Sequence, residues 1–352
     1  MDLRWLNPKL LLSGILGAAI FGALLAHVGF DKILSAFSPI SPIWLLPCVA
    51  LTLASYWLRG LRWKLILGPR GRHLRSRDLF PAVVLGYFIN SLMPIRVGEV
   101  ARAVLMSRGG GVNLFSGLSS IAAEKVLDVL AIICLASAPI LLSSKGLALP
   151  PQLLLFAQIL GALSAIALLA MPFAIRERAI SQRLIEGFIA RLPKIGRRLA
   201  PAMGSMIDGL SGMASLGSFS SAIALSLAIW ALYALLGAAF LRAYGLGLPL
   251  SLSLLGMMLF TLSFAVPAPP GYAGTFEFYW LLAFVPLGVG ADEALAVGFA
   301  FHIFSLALIS ALGSMIASWI GVNVWDLASL KIPAGSRAPE SGAGRDLANV
   351  KY

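Results

Sequence analysis

Charge is what this sequence has least of. Of 352 residues only 12% are Asp, Glu, Lys or Arg, and the acidic residues number 15. An average soluble domain carries roughly a quarter charged residues, enough to clothe an apolar core. With 59% hydrophobic residues and a mean hydropathy of +0.91, this chain has no such covering. Two soluble domains, the ordinary expectation at this length, are therefore excluded. Period-2 alternation is missing as well. The apolar runs exceed strand length, which leaves helices as the means of satisfying the backbone inside a bilayer.

The remaining scarcities exclude chemistry. The two cysteines, Cys48 and Cys134, lie in apolar runs and imply no disulfide framework. There is no His-x-x-His or Cys-x-x-Cys for a metal, no phosphate-binding P-loop and no Gly-x-Ser-x-Gly nucleophile. Gly109-Gly110-Gly111 follows no strand and is a loop rather than a nucleotide fingerprint. No soluble stretch is long enough for a separate catalytic domain. The expectation is a protein without catalytic residues, metal or cofactor.

What basic charge there is has a pattern. A formal charge of +12 would suggest nucleic acid in a soluble protein. Here seven of the 27 Lys and Arg fall in residues 59–77, beginning with Arg59 and Arg62, and seven more in 176–198. Lys331, Arg337, Arg345 and Lys351 add four in the tail. Cytoplasmic loops of membrane proteins carry this excess, so the charge reads as topology and nucleic acid is not a partner.

Runs of about 20 apolar residues place spans near 10–30, 42–58, 114–142, 152–175, 219–243 and 292–320. Trp44, Trp57, Trp319 and Trp325 stand at their ends as interfacial anchors. The run after Arg4 and Lys9 is longer than the core of a signal peptide and reads as a retained first helix. Following the sides from a cytoplasmic N-terminus, residues 78–113 begin and end inside, and 251–290 begin and end outside. Each segment is broken by Pro and Gly. The predicted architecture is thus an all-α polytopic membrane protein of about six spans with two oppositely oriented re-entrant hairpins. It forms a single membrane domain, residues 1–330, in a cytoplasmic membrane with both termini cytoplasmic. A first half (about 10–175) and a second (about 219–325) are joined by a linker, 176–218. Within the linker, residues 181–194 have the spacing of an amphipathic surface helix, or are a plain connector. Residues 331–352 read as a disordered tail.

The hairpin tips resemble one another. Pro94, Gly98 and Glu99 in the first correspond to Pro270, Gly274 and Glu277 in the second, and Gly98 and Gly274 stand 176 residues apart. Broken helices at matching places in inverted halves point to a transporter's binding site. Charges inside a membrane cost about 2.5–3.5 kcal/mol each on insertion scales, so those retained face protein or water. Arg96, Glu99, Arg102, Glu124, Asp128 and Glu277 are such charges. Glu99 and Arg102 are spaced to pair if helix resumes at Gly98. Backbone amides freed there, strengthened by Arg96, would hold an anion such as a phosphate head group. Glu124 and Asp128 share a helix face beside Lys125. They would bind a cation or a coupling proton, or form a salt bridge to Arg96, Arg102 or Lys125. Glu277 needs a distant partner or a proton, for which His302 is a candidate; otherwise His302 is a packing residue.

These blocks together have a familiar form: Arg59-Gly-Leu-Arg62-Trp63, Gly86 to Pro94 with Asn90, Arg96-Val-Gly98-Glu99 with Arg102, Glu124-Lys125-x-x-Asp128, and Pro270-Gly271-x-x-Gly274-x-x-Glu277. From residue 10 to 325 the chain resembles the flippase-like membrane region of the lysylphosphatidylglycerol synthase family. The resemblance implies a bacterial or archaeal inner-membrane protein that moves a polar lipid between leaflets. It departs from the family pattern at Lys125, where Arg is usual, and near His302, where Arg is common. The family's aminoacyl-transferase domain is not within these residues, so lysylation is not expected of them. On this reading Asn90, Pro94, Arg96, Gly98, Glu99, Arg102, Pro270, Gly271, Gly274 and Glu277 handle the head group. Arg96 and Arg102 would take its phosphate, and Glu99 and Glu277 a cationic group or a proton. Glu124, Lys125, Asp128 and His302 serve coupling or structure. The expected partners are membrane lipids, with a lipid-biosynthesis enzyme as a further candidate. A solute transporter, a membrane-embedded glycosyl-transfer or lipid-modifying enzyme, and an accessory subunit remain as rivals.

Overall fold

The structure, a computed structural model, describes residues 42–93, 97–109, 111–142, 151–176, 215–264, 270–272 and 274–322, together with Ile40, Val324 and Leu327. The predicted first span at 10–30, the amphipathic segment at 181–194, Trp325 and the tail all lie outside these residues. Among the described residues there are helices and no strands. They are α1 (Leu45–Leu67), α2 (Ser76–Leu92), α3 (Gly98–Gly109), α4 (Leu114–Leu142), α5 (Pro151–Arg176), α6 (Leu216–Ala243), α7 (Leu250–Ser263), α8 (Thr275–Phe284) and α9 (Ala291–Ile320).

Local chemistry fixes the ends. At α2 the Asp78 carboxylate accepts from the Arg75 amide at 2.7 Å and sits where the helix dipole favours negative charge. The Ser215 hydroxyl accepts from the Ser218 amide to start α6. At the other end of the chain α9 stops at Gly321, whose left-handed backbone (φ 67°) lets Val322 bond back to the Ala317 carbonyl.

One boundary differs from expectation, with consequences for the site. The apolar run was expected to leave the membrane near residue 58, but α1 continues to Leu67. Nothing between 58 and 67 breaks a helix; the first breaker is Gly68, at φ 56°, followed by Pro69. Arg59, Arg62 and Lys64 therefore belong to the helix rather than to a cytoplasmic loop. Arg59 and Arg62 are buried, at 4% and 0% exposure.

The two interrupted segments are helix pairs. Helices α2 and α3 pack on each other across the break at 93–97, and α7 on α8 across 264–274. The packing also repeats. Helix α1 meets α2 as α6 meets α7, α3 meets α4 as α8 meets α9, and α2 meets α9 as α4 meets α7; α1 and α6 pack on each other at the centre. Glycines stand at the equivalent crossings: a Cβ on Gly60 would just touch the α2 backbone at Phe80, whereas one on Gly237 would strike Met257 of α7. Between α7, α8 and α9 lies an aromatic core in which Phe260, Phe276, Trp280 and Phe301 meet edge to face or tilted.

Helices α6 (over Gly217–Ala243) and α9 are long and apolar enough to cross a bilayer by length and composition. Helices α1 and α4 have comparable length but carry charges on their buried faces. The outer surface is apolar: Leu155, Ile159, Leu163, Ile166 and Leu169 form one exposed stripe along α5.

Candidate functional site

The first break is held shut by a side chain. Asn90, in the last turn of α2, accepts from the Gly98 amide at 2.7 Å and donates to Glu99 Oε2 at 2.9 Å. The other carboxylate oxygen of Glu99 lies 3.1 Å from Lys125 Nζ on α4. Two expectations are thereby corrected. Glu99 and Arg102 do not pair, because each is engaged by α4, and the first amide of α3 is capped by Asn90 instead of facing an anion. Gly98 is required by proximity: a Cβ there would run into the Gly86 carbonyl and the Asn90 amide. Pro94 and Arg96 lie outside the described residues.

Behind this break the charges form a chain. Arg102 donates to Glu124 at 2.8 Å, with its guanidinium 4.6 Å from the Trp63 ring. Arg62 lies 3.3 Å from the other Glu124 oxygen and donates to Asp128 at 2.6 Å and to Ser226 of α6 at 2.8 Å. Asp128 also accepts from Trp230 at 2.8 Å. Of the readings open for Glu124 and Asp128, the salt bridge is the one present. Arg102 was a foreseen partner of the acids; Arg62 and Arg59 were not. Counting the basic cluster as a loop hid them, although Ser55, Arg59, Arg62 and Ile66 recur at helical spacing.

At the second break the left-handed Gly271 (φ 65°) and Gly274 (φ 75°) turn the chain into α8. His302 of α9 closes this turn from the side. Its Nδ1 is 2.7 Å from Glu277 Oε1, its Nε2 is 2.7 Å from the Gly271 carbonyl, and Phe276 stacks on the ring at 4.2 Å. The carbonyl can only accept, so Nε2 carries hydrogen. The short contact on the other side then needs one proton between Nδ1 and Oε1. Whichever atom holds it, the pair is neutral overall. Pro270 belongs to the same turn, which packs against α2 of the first hairpin.

The two breaks face a shared cavity of about 330 Å³. Five of the residues singled out in the sequence line it: Asn90, Glu99, Lys125, Asp128 and His302. Arg59 lines it too, as do rings from both halves, among them Tyr56, Tyr87, Trp230, Tyr233 and Tyr272. Arg102 and Gly98 border a separate crevice of about 10 Å³ that shares Asn90, Glu99 and Lys125 with the cavity. Arg59 sits between Trp230 and Tyr87, 4.8 and 5.2 Å from the ring centres, and 3.9 Å from the nearer Asp128 oxygen. Its buried Nη1 makes no hydrogen bond. Cavity and wall together hold four cations (Arg59, Arg62, Arg102, Lys125) against three carboxylates (Glu99, Glu124, Asp128) among the described residues. The carboxylate nearest Arg59, that of Asp128, is already bonded to Arg62. A buried guanidinium nitrogen left without a hydrogen bond is costly, a cost that an anion at Arg59 would reduce. No group of His, Cys, Asp or Glu among the described residues is arranged to hold a metal.

Relatives agree with a membrane assignment. The chain is 24% identical over 327 residues to a UPF0104 membrane protein of Methanothermobacter thermautotrophicus, covering 88% of this chain and 95% of that one. It is 28% identical over 108 residues to a UPF0104 membrane protein of Methanocaldococcus jannaschii, 30% of this chain and 32% of the relative. Over 127 residues it is 26% identical to the glycosyltransferase AglD of Haloferax volcanii, 36% of this chain and 20% of that protein. The matches thus span about a third of the Methanocaldococcus protein and a fifth of the glycosyltransferase. No solved structure matches. The family described as the lysylphosphatidylglycerol synthase TM region matches residues 10–313. This helical membrane protein belongs to that family.

Proposed function

We propose that the protein moves a polar, phosphate-bearing lipid between the leaflets of a cytoplasmic membrane. The observation that carries this reading is the cavity: aromatic walls from both halves, a buried guanidinium at Arg59 whose Nη1 makes no hydrogen bond, and an apolar outer surface that lets acyl chains stay in lipid. Unassisted flipping is slow because the head must cross about 30 Å of hydrocarbon. A polar chamber at the meeting point of two broken helices shortens the dry part of that path. The exchange of packing partners between α1–α4 and α6–α9 supports a structural repeat; in this reading the repeat is inverted, with the two helix pairs re-entering from opposite faces and both termini cytoplasmic. In this reading Arg59 holds the phosphate, while the Asn90 clip and the His302 bridge keep the two tips in place.

Reconstitution tests it. In proteoliposomes, phosphatidylglycerol labelled on an acyl chain becomes accessible to external dithionite faster than in protein-free vesicles, while a trapped soluble phosphate ester stays inside. Release of the solute with no gain in lipid exchange would favour a solute transporter. Turnover of the lipid to a new product would favour a membrane-embedded enzyme.

A further inference from the structure

We infer that the cavity selects a head group of net charge −1, a phosphodiester whose remaining part is an uncharged hydroxylated group, over zwitterionic or cationic heads. This rests on the lipid-handling reading and specifies its substrate class.

The inference follows from which charges are already satisfied. Lys125 is matched by Glu99 at 3.1 Å, Arg102 by Glu124 at 2.8 Å and Arg62 by Asp128 at 2.6 Å. The Arg102 and Arg62 matches are buried on both sides and the Lys125 match is half-exposed, and none leaves a charge over. Among the described residues Arg59 is the one left over: 4% exposed, with Nη1 unbonded and its closest carboxylate oxygen at 3.9 Å, beyond hydrogen-bond reach. The described residues of the cavity therefore offer one such positive charge, on a planar donor suited to two phosphate oxygens.

A cationic head group would need an equally free carboxylate, and none of the described residues lining the cavity supplies one. Both Glu99 oxygens are engaged, by Lys125 and by the Asn90 amide. One Asp128 oxygen already takes Arg62 and Trp230, and the other faces Arg59. Glu277 has a buried oxygen without a partner, but its carboxyl and His302 share one proton, and Glu277 does not line the cavity. An ammonium in the chamber would meet Arg59 and Lys125 with no carboxylate left over among the described residues to answer it. A dianionic phosphomonoester would exceed what one free guanidinium neutralises. For the rest of the head the walls supply ring faces at Tyr87, Tyr233 and Tyr272, and hydroxyl or amide groups at Ser55, Asn90 and Ser305. These suit a glycerol or a sugar ring, whose C–H faces stack on aromatics while its hydroxyls hydrogen-bond.

Binding of short-chain lipids to the purified full-length protein in detergent tests this directly. Dihexanoyl phosphatidylglycerol and phosphatidylinositol are expected to bind at least about tenfold more tightly than phosphatidylcholine, lysylphosphatidylglycerol or phosphatidic acid, the scale of one charge-assisted contact. Arg59→Gln should level the series to within about twofold, and Arg59→Lys should keep the order. Glycerophosphoglycerol, the same head without acyl chains, forms a second arm; binding as tight as the lipid's would overturn a lipid source for the anion. Equal or tighter binding of the zwitterionic or cationic lipids by the wild type overturns the inference, as does an unchanged order in a folded Arg59→Gln. The two readings fail separately. Selective binding without any leaflet exchange removes transport but keeps the selectivity, whereas exchange that favours lysylphosphatidylglycerol does the reverse.

Discussion

Arg62 Nη1 and Asp128 Oδ1 meet at 2.6 Å in a site where the arginine has no solvent exposure, and the contact joins α1 to α4 while the same guanidinium nitrogen reaches Ser226 on α6. A buried pair of this kind is costly to break from one side, because the abandoned charge stays desolvated. Arg62→Met is therefore expected to destabilise the protein by about 3–5 kcal/mol, and Asp128→Leu by a similar amount. The double variant should be less destabilised than the sum of the two. Thermal unfolding of the detergent-solubilised protein measures all three; strict additivity would show that the pair is not coupled.

Gly98 tests the first hairpin without touching a charge. Its Cβ position is occupied by the Gly86 carbonyl and the Asn90 side chain, so Gly98→Ala has to separate α2 from α3 and loosen the Asn90 cap. Overpacking of this sort costs about 1–3 kcal/mol. Gly274→Ala makes a useful contrast. No atom of the described residues lies within 4 Å of a Cβ there, and the expected penalty comes from its left-handed backbone (φ 75°), about 1–2 kcal/mol. Parallel melts of the two variants check the order; a larger loss at Gly274 would contradict it.

The His302–Glu277 bridge makes a different prediction. Because Nε2 donates to the Gly271 carbonyl, Nδ1 can serve as acceptor for an amide. Glu277→Gln is expected to retain the bridge and to melt closer to the wild type than Glu277→Ala does. Glu277→Ala leaves the His302 nitrogen buried and unpaired, at about 1–3 kcal/mol. Equal loss in both variants would mean that the contact needs a formal charge on Glu277.

Much of this arrangement could be read from residue spacing. The breaks at 93–97 and 264–274 follow from Pro and Gly inside apolar runs, and the bounds of α4, α5, α6 and α9 fall within three residues of the apolar runs that foretold them. The Glu277–His302 contact was legible because each was an intramembrane group with no neighbour in sequence to satisfy it. Arg59 and Arg62 were misread because proximity to Arg70, Arg72, Arg75 and Arg77 made them look like part of one loop. Charge density along the chain does not say where a helix ends; the missing breaker before Gly68 does. The pairing of Glu99 was misassigned for a related reason. Intrahelical spacing allows Arg102, but α4 brings Lys125 to 3.1 Å, and tertiary proximity overrides sequence neighbourhood.

The central claim is that lipid head groups pass through the chamber between the two breaks, and filling the chamber tests it most directly. Ser305 lines the cavity from α9 and makes no part of the charge chain. Leaflet exchange of phosphatidylglycerol in proteoliposomes is expected to fall by at least about tenfold in Ser305→Trp, an increase in barrier of about 1.4 kcal/mol, while the melting temperature stays near that of the wild type. Wild-type exchange rates in a folded Ser305→Trp protein would contradict passage through this chamber.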